Sequence, residues 1–450
     1  MLLSQRKTIN LDRGGKLPLV IVPPRSMLTL ILVVFFLNSA RSFAQDTTAV
    51  VIPDGTMGEV LEPIDTLEEK KFPRNVNIFT GRYSSFRIGM GFLYEFAGFS
   101  QDEAGRRQMD SAGVVLENQF KVRDFRVFAS GQLTTRRVIS WKIGLMYDGA
   151  AREWLMRETG LTIAVPEISG HIFVGRTKEG YSQNKVMNGY AGWTMERQMG
   201  LDVIPILADG IKWIGFFSKH RIFWNVGIYD NFFSKHQGFS TYNWQTVARV
   251  GWLPISNSEK KVQLHMGMSY RYGQVYEGQI RIRSRPEANP APFFIDTDLL
   301  QSDYSNHLGL EVYYTKGKLM LGSEYNFHKF DLNSGGKALF HGGDAVVSYI
   351  FTGASRPYST VSGVYSFVPV KKSVFQGGWG ELEGVFRVSN LDLEDGGVQG
   401  GKFWRLTPMV NWYMTRYLRL EVAYGYGVLD RFGLKGATQF FQTRIQLAIL

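Results

Sequence analysis

The sequence predicts an all-β fold, a transmembrane antiparallel β-barrel of about sixteen strands, and three observations lead there. Apolar residues alternate with small or charged ones along stretches near ten residues. Aromatic residues are 14% of the chain and gather toward the ends of the apolar faces. After the N-terminal region, no segment approaches the ~18 consecutive apolar residues of a membrane-spanning helix. A strand crossing hydrocarbon needs ~9–11 residues, and the sheet must close on itself because lipid offers no partner to a bare backbone edge. A soluble sandwich also alternates, but strand length, strand number and end-placed Trp and Tyr favour the barrel. The 49 glycines against 15 prolines suit strands and turns, and zero cysteines exclude a disulfide framework, Cys-ligated zinc, iron–sulfur clusters and thiol catalysis.

Residues 1–44 read as a signal peptide. Met27 to Leu37 is an apolar run too short to span a bilayer, Arg25 precedes it, and Ser42-Phe43-Ala44 offers small residues for cleavage before Gln45. The stretch before Met27 is long for such a segment, so Met27 is the expected translation start. Without residues 1–44 the chain keeps 45 basic and 39 acidic residues, an excess of +6. Residues 45–75, acidic and proline-bearing without a period, read as a periplasmic linker or N-terminal arm, and residues 76–450 as the barrel.

Along the barrel, Phe86, Ile88, Met90, Phe92, Tyr94 and Phe96 alternate with Arg87, Gly89, Gly91, Leu93, Glu95 and Ala97. The pattern returns at Ile139 to Tyr147, Ile222 to Ile228, Trp244 to Trp252 and Leu418 to Tyr426. The last strand puts Phe441, Thr443, Ile445, Leu447 and Ile449 on one face. Seventeen candidate strands result, from 86–99 to 437–449. Single-chain bacterial barrels have even strand numbers, so sixteen is the choice. The segment Gly278 to Arg285, or a hairpin near residue 160, is the expected surplus. A barrel of this size should enclose a water-filled lumen.

The runs GRTKEGYSQNK (Gly175 to Lys185), WTMERQ (Trp193 to Gln198) and FHGGDAVVSY (Phe340 to Tyr349) stand in this order. They are followed by LDLEDG (Leu391 to Gly396), GGKFWRLTPMVNWY (Gly400 to Tyr413) and FFQTRIQL (Phe440 to Leu447). Together they resemble the phosphate-selective porin O and P family, in its Bacteroidetes-type members, over about residues 72–450. The resemblance implies a sixteen-stranded barrel in a Gram-negative outer membrane, commonly a homotrimer. It also implies an anion channel, for phosphate or polyphosphate in some members. General diffusion porins occur among such relatives, and the preferred anion stays open.

Strand parity assigns the wall. Opposite the lipid-facing stripes stand Arg87, Arg126, Lys142, Arg221, Arg249, Arg271, Arg387, Arg405, Arg419 and Arg444, with acids Glu95, Asp124, Glu311, Glu324, Glu381, Glu383 and Glu421 on the same faces. This is a modest cationic bias, and pairing across strands is the alternative. Gln279 to Arg285 puts Arg281, Arg283 and Arg285 on one face at ~6.6 Å spacing, a ladder of forks suited to phosphate if that face lines the pore. Otherwise the ladder meets solvent or acidic lipid headgroups. Arg176 to Pro205 loses alternation for about thirty residues, and a long structureless stretch in a compact fold is usually functional. The resemblance places here the loop that folds into a porin lumen, with Arg176, Lys178, Lys185 and Arg197 at the constriction and Glu179, Glu196 and Asp202 offsetting part of their charge.

Signals for an enzyme are poor. The seven histidines show no metal-ligand spacing, and His265, His307 and His328 have lumen parity. The glycine runs at 377–380 and 425–427 lack the strand-then-helix context of a phosphate-cradling loop. No cofactor, metal or nucleic acid is expected; the expected partners are small inorganic anions and outer-membrane lipid. An outer-membrane lipase or protease is the competing class, because its catalytic residues can come from separate strands.

Overall fold

The computed structural model describes residues 77–449 except 150, 234–241 and 354. The signal peptide and the N-terminal arm read over residues 1–75 lie outside the described residues. The wall is a closed antiparallel barrel of sixteen strands. They are β1 (Ser84–Gln101), β2 (Gln119–Leu133), β3 (Ile139–Asp148), β4 in two pieces (Glu153–Met156 and Thr159–Val165), β5 (Gly170–Lys178), β6 (Leu207–Phe217), β7 (Ile222–Asp230) and β8 (Tyr242–Asn257). The second half is β9 (Val262–Val275), β10 (Ile295–Lys316), β11 (Leu319–Leu332), β12 (Lys337–Ile350), β13 (Glu381–Asp395), β14 (Val398–Tyr413), β15 (Leu418–Arg431) and β16 (Leu434–Ile449). Each strand pairs with its sequence neighbours, and β1 closes on β16 from Met90 opposite Ile449 to Gln101 opposite Thr438. The short strand Ile78–Thr80 pairs with Ser85 to Arg87, covering the edge of β1 that β16 leaves free.

The pleat sorts residues as alternation predicts. Along β1, Gly89, Gly91, Leu93, Glu95 and Ala97 are buried inward, whereas Ile88 and Tyr94 face outward. Outward stripes such as Ile143, Leu145, Val250, Trp252, Phe441 and Ile445 are exposed to the surrounding lipid. Rings pair near the strand ends on this surface, as in Trp213 with Trp224 and Tyr272 with Tyr304.

The surplus seventeenth candidate is Gln279–Ser284. It is a strand, but it hangs on the extension of β10 at the barrel mouth, with Gln279 opposite Gln301 and Ser284 opposite Ile295. Its apolar residues Ile280 and Ile282 are buried among Phe294, Phe330, Phe340, Phe403 and Phe440, inside the barrel rather than in lipid. Arg221, read as a wall residue, sits in the turn before β7 with φ 56°, exposed.

The two ends differ. One carries the long connections 102–118, 179–206, 231–241 and 276–294; the other carries turns of two to five residues, the segment 351–380, and the start of β1 and end of β16. Short turns mark the periplasmic end of such barrels.

The interior departs from the expected open lumen. Segments 179–206 and 276–294 enter from the outer end and 351–380 from the periplasmic end, and each brings apolar side chains to inward rings of the wall. Trp193 of the first and Tyr365 of the third meet Tyr313 of β10 at 5.5 and 5.9 Å between ring centroids. Burying such rings against one another removes ~150–250 Å² each from water, which is why the segments occupy the lumen instead of leaving it to solvent.

Candidate functional site

The loop 179–206 is pinned by its own ionic ends. Ser182 caps the short helix α1 (Gln183–Val186), and the carboxylates of Glu311 and Glu324 accept from the backbone N–H groups of Gln183 and Asn184 at 2.5 and 2.8 Å. Before it, Glu179 accepts from Arg271 at 3.0 and 3.2 Å, Lys185 at 2.9 Å and Gln245 at 2.8 Å, all fully buried. Burial pushes the Glu179 carboxyl up, but Arg271 and Lys185 outweigh it and hold it at about 2. Burial lowers the Lys185 ammonium to about 8 despite the Glu179 charge beside it.

The space left in the barrel lies to one side. A cavity of about 330 Å³ opens between loop 179–206, the hairpin at 280–293 and the inward faces of β2, β3 and β4. Eight cations line it: Arg123, Arg126, Arg157, Lys185, Arg197, Arg281, Arg283 and Arg285. Four acids do: Asp148, Glu196, Asp202 and Glu287. Two pockets of about 40 and 30 Å³ share Arg126 with it. The first is walled by Trp193 and Arg444, the second by Lys142, Glu158, Lys178 and Tyr190. Burial, then repulsion by Arg126 and Arg157, lowers the Arg197 guanidinium to about 10, a measure of how closely these cations are gathered.

The sequence-derived candidates divide into two groups. Arg176 and Lys178 end β5 and do not face the large cavity. Arg176 pairs with Asp209 at 2.9 Å, and Lys178 donates to the carbonyls of Val186 and Met187 at 3.3 and 2.7 Å. The wall residues Arg249, Arg271, Arg405, Arg419 and Arg444 are inward, as parity requires, but none is more than 3% exposed. They grip the inserted segments: Arg249 donates to the carbonyls of Ser362 and Gly363, Arg405 to Pro286, Arg419 to Gly192, and Arg444 to Met195, Glu95 and Glu196. Loop backbone carbonyls without strand partners take up wall guanidinia, so these cations are covered rather than wet. Arg387 does the same with Glu287 at 2.5 Å.

The candidates that line space are Arg126, Lys142, Lys178, Lys185, Arg197, Arg444 and the ladder, Lys178 and Arg444 only at the two small pockets, with Arg87 half-buried on the inward face of β1. The ladder is not uniformly uncompensated, as its sequence suggested. Arg281 is paired with Asp296 at 2.7 Å and Asp298 at 3.3 Å, and Arg285 donates to the carbonyl of Ala291 at 2.9 Å. Arg283 has no carboxylate among the described residues. The guanidinium carbons of Arg283 and Arg285 stand 4.3 and 4.0 Å from the Phe293 ring centroid, which holds both forks in place.

Sequence reasoning missed Arg123, Arg157 and Arg356. Arg123 adjoins the register shift opposite Leu93 and Tyr94, which breaks simple parity. Arg157 lies in the gap between the two pieces of β4. Arg356 belongs to the unforeseen periplasmic insertion and donates to both oxygens of Glu383 and to the Ala191 carbonyl at 2.8 Å, tying that segment to loop 179–206. That insertion had a signal: residues 351–380 lack alternation and contain no acid.

Among the described residues, no group of three or more His, Asp or Glu is placed to hold a metal ion. His307 and His328 bond each other at 2.8 Å, and His265 joins Glu311 and Tyr358, all in the packed wall.

Residues 109–449 match the sequence pattern of the family described as phosphate-selective porin O and P. The chain belongs to this family. Its place is the outer membrane. An uncharacterized protein of Caulobacter vibrioides is 31% identical over 182 residues, 40% of the porin and 36% of that protein; the porin therefore spans about a third of that relative's length. Among solved structures, the anion-selective porin from Comamonas acidovorans superposes with TM-score 0.52 at 13% identity, over 81% of this chain and 100% of that one. Salmonella typhi OmpF in complex with daunomycin gives 0.52 at 9% identity over 82% and 99%. Outer-membrane expressed OmpT of Vibrio cholerae gives 0.51 at 11% identity over 82% and 99%. At these identities the likeness concerns the barrel fold.

Proposed function

We propose that this porin is an anion-preferring diffusion channel with phosphate among its permeants. The observation that carries the reading is the lining of the large cavity, eight cations against four acids, among which Arg197, Arg283 and Arg285 have no carboxylate partner among the described residues. A water-filled passage with low-dielectric walls focuses such a field and raises the local concentration of the opposite ion. Ions pass when successive sites are attractive enough to enter and weak enough to leave, and Arg283, Arg285 and Arg197, which line the cavity without carboxylate partners among the described residues, offer such a series. Guanidinium forks donate two bonds at once to a tetrahedral oxyanion, which favours phosphate over chloride at equal charge.

The filled lumen argues against a wide non-selective passage, and a channel role needs no catalytic constellation. A homotrimer remains part of the proposal, to be read from the mass of the detergent-solubilised particle. The deciding test is a planar-bilayer recording under a salt gradient. Discrete openings with a reversal potential on the anion side, and chloride current reduced by inorganic phosphate, are expected. A cation-side reversal potential refutes the anion preference, and undiminished chloride current refutes the phosphate reading.

A further inference from the structure

The two barrel ends carry different charge. At the periplasmic end, the turn 134–138 holds Arg136 and Arg137, 218–221 holds Lys219 and Arg221, and 258–261 holds Lys260 and Lys261. Arg82 precedes β1, Lys318 lies in the turn before β11, and Arg416 in that before β15. The outer part of segment 351–380 adds Lys371 and Lys372. Against these eleven cations this end contains two acids, Glu259 in the turn 258–261 and Glu167 in the turn 166–169, and Glu167 is taken up by Arg137 at 2.6 Å. The described connections of the outer end are balanced, with eight cations and nine acids. The polarity thus belongs to one rim.

Exposed rings stand at the same level. Phe375 and Trp379 are 80% and 81% exposed and Tyr83 is 75% exposed. They are not on loose chain. Ser373 and Gln376 cap each other's turn, the Val374 N–H donates to the Met414 carbonyl at 3.0 Å, and the Trp412 indole N–H donates to the Trp379 carbonyl at 2.8 Å. Trp412 lies between Asn411 and Tyr413, both buried inward, so it faces outward, and the turn that meets it folds over the outside of the wall. Arg416 and Arg82 stack on Tyr417 and Tyr83 at 4.5 and 5.4 Å. Rings and cations together on the outer side of a barrel rim match the depth at which hydrocarbon gives way to headgroups.

We propose that this rim is a binding surface for anionic phospholipid headgroups of the periplasmic leaflet, with the lobe of Lys371, Lys372, Phe375, Trp379 and Arg416 as its strongest part. The aromatic side chains enter the interfacial zone while the cations meet phosphate groups. Each Lys or Arg beside an anionic surface strengthens attraction about five-fold, ~1 kcal/mol.

The test is native mass spectrometry of the whole porin in detergent, titrated with equal amounts of phosphatidylglycerol and phosphatidylethanolamine. The wild type is expected to retain phosphatidylglycerol preferentially. K371Q/K372Q/R416Q should weaken that retention by up to about five-fold per charge removed, leave phosphatidylethanolamine unchanged, and keep the heat-modifiable gel shift of a folded barrel. R106Q/R107Q, exposed at the outer end, should change nothing. Equal phosphatidylglycerol retention by the triple variant, or equal loss in the outer-end control, overturns the proposal. Displacement of the lipid by inorganic phosphate reassigns the rim to the ion pathway and also overturns it.

Discussion

Replacing Arg283 and Arg285 with Gln removes two charges from the mouth while keeping size and polarity. Both line the large cavity, and neither has a carboxylate partner among the described residues. An anion passing the hairpin comes within ~7 Å of each, about the spacing of alternate strand residues. In a water-filled mouth a unit charge at that distance contributes ~0.6 kcal/mol. Screening multiplies this by ~0.8 at 0.01 M salt and by ~0.1 at 1 M, where the Debye length is ~30 and ~3 Å. The double variant should therefore lower the anion concentration in the mouth about five-fold at 0.01 M and only ~1.2-fold at 1 M. Single-channel recordings at both ionic strengths read this as a loss of anion conductance confined to low salt. A loss of equal size at 1 M would mean that the substitutions reshape the hairpin rather than its field, and no loss at either strength would place the ions elsewhere.

Glu179→Gln leaves Lys185 and Arg271 buried without their carboxylate, which should destabilise the folded loop by ~3–5 kcal/mol, seen as a lower heat-modification temperature and noisier current. Acid should act in the same way: held at about 2 in the fold against ~4.3 ordinarily, Glu179 contributes stability that is fully present above ~4.3 and disappears as pH falls to about 2. Lys185 acts in the same direction in a higher window, its cost being relieved as pH rises from about 8 to ~10.4, so current noise should increase on the acid side alone. Gly363→Ala should loosen the periplasmic insertion. The residue sits at φ 62° and an added Cβ would meet the Phe223 ring at 2.4 Å, so faster proteolysis within 351–380 at unchanged barrel content is expected.

The wall was legible because its cause is local. A side chain faces lipid or interior by parity, and stripes such as Ile143 with Leu145 are what lipid requires. Parity does not say which apolar medium receives a stripe. Ile280 and Ile282 alternate as a wall strand would, yet their medium is the packed mouth of the barrel. Parity was equally right that Arg249 and Arg271 point inward and silent on what covers them, because their partners are residues 362, 363 and 179, distant in sequence. Arg123 escaped for the opposite reason, since a register shift beside it breaks the rule itself.

Covering the wall arginines and leaving space beside others are two aspects of one arrangement. A buried guanidinium is tolerable only when its donors are taken up, and the loop backbones supply acceptors where strands cannot. Each wall cation satisfied in this way, as Arg419 is by Gly192 and Arg405 by Pro286, is withdrawn from any passing ion and converted into a fastening for an inserted segment. In the proposed channel, selectivity then falls to the cations without carboxylate partners among the described residues, Arg197 of loop 179–206 and Arg283 and Arg285 of the 280–293 hairpin, where the inserted segments leave room. The net excess on the wall consequently says little about the ions transported. The charge that matters is what remains after the segments have been fastened, so neutralising Arg283 should alter permeation with little change in stability, and neutralising Arg419 should do the reverse.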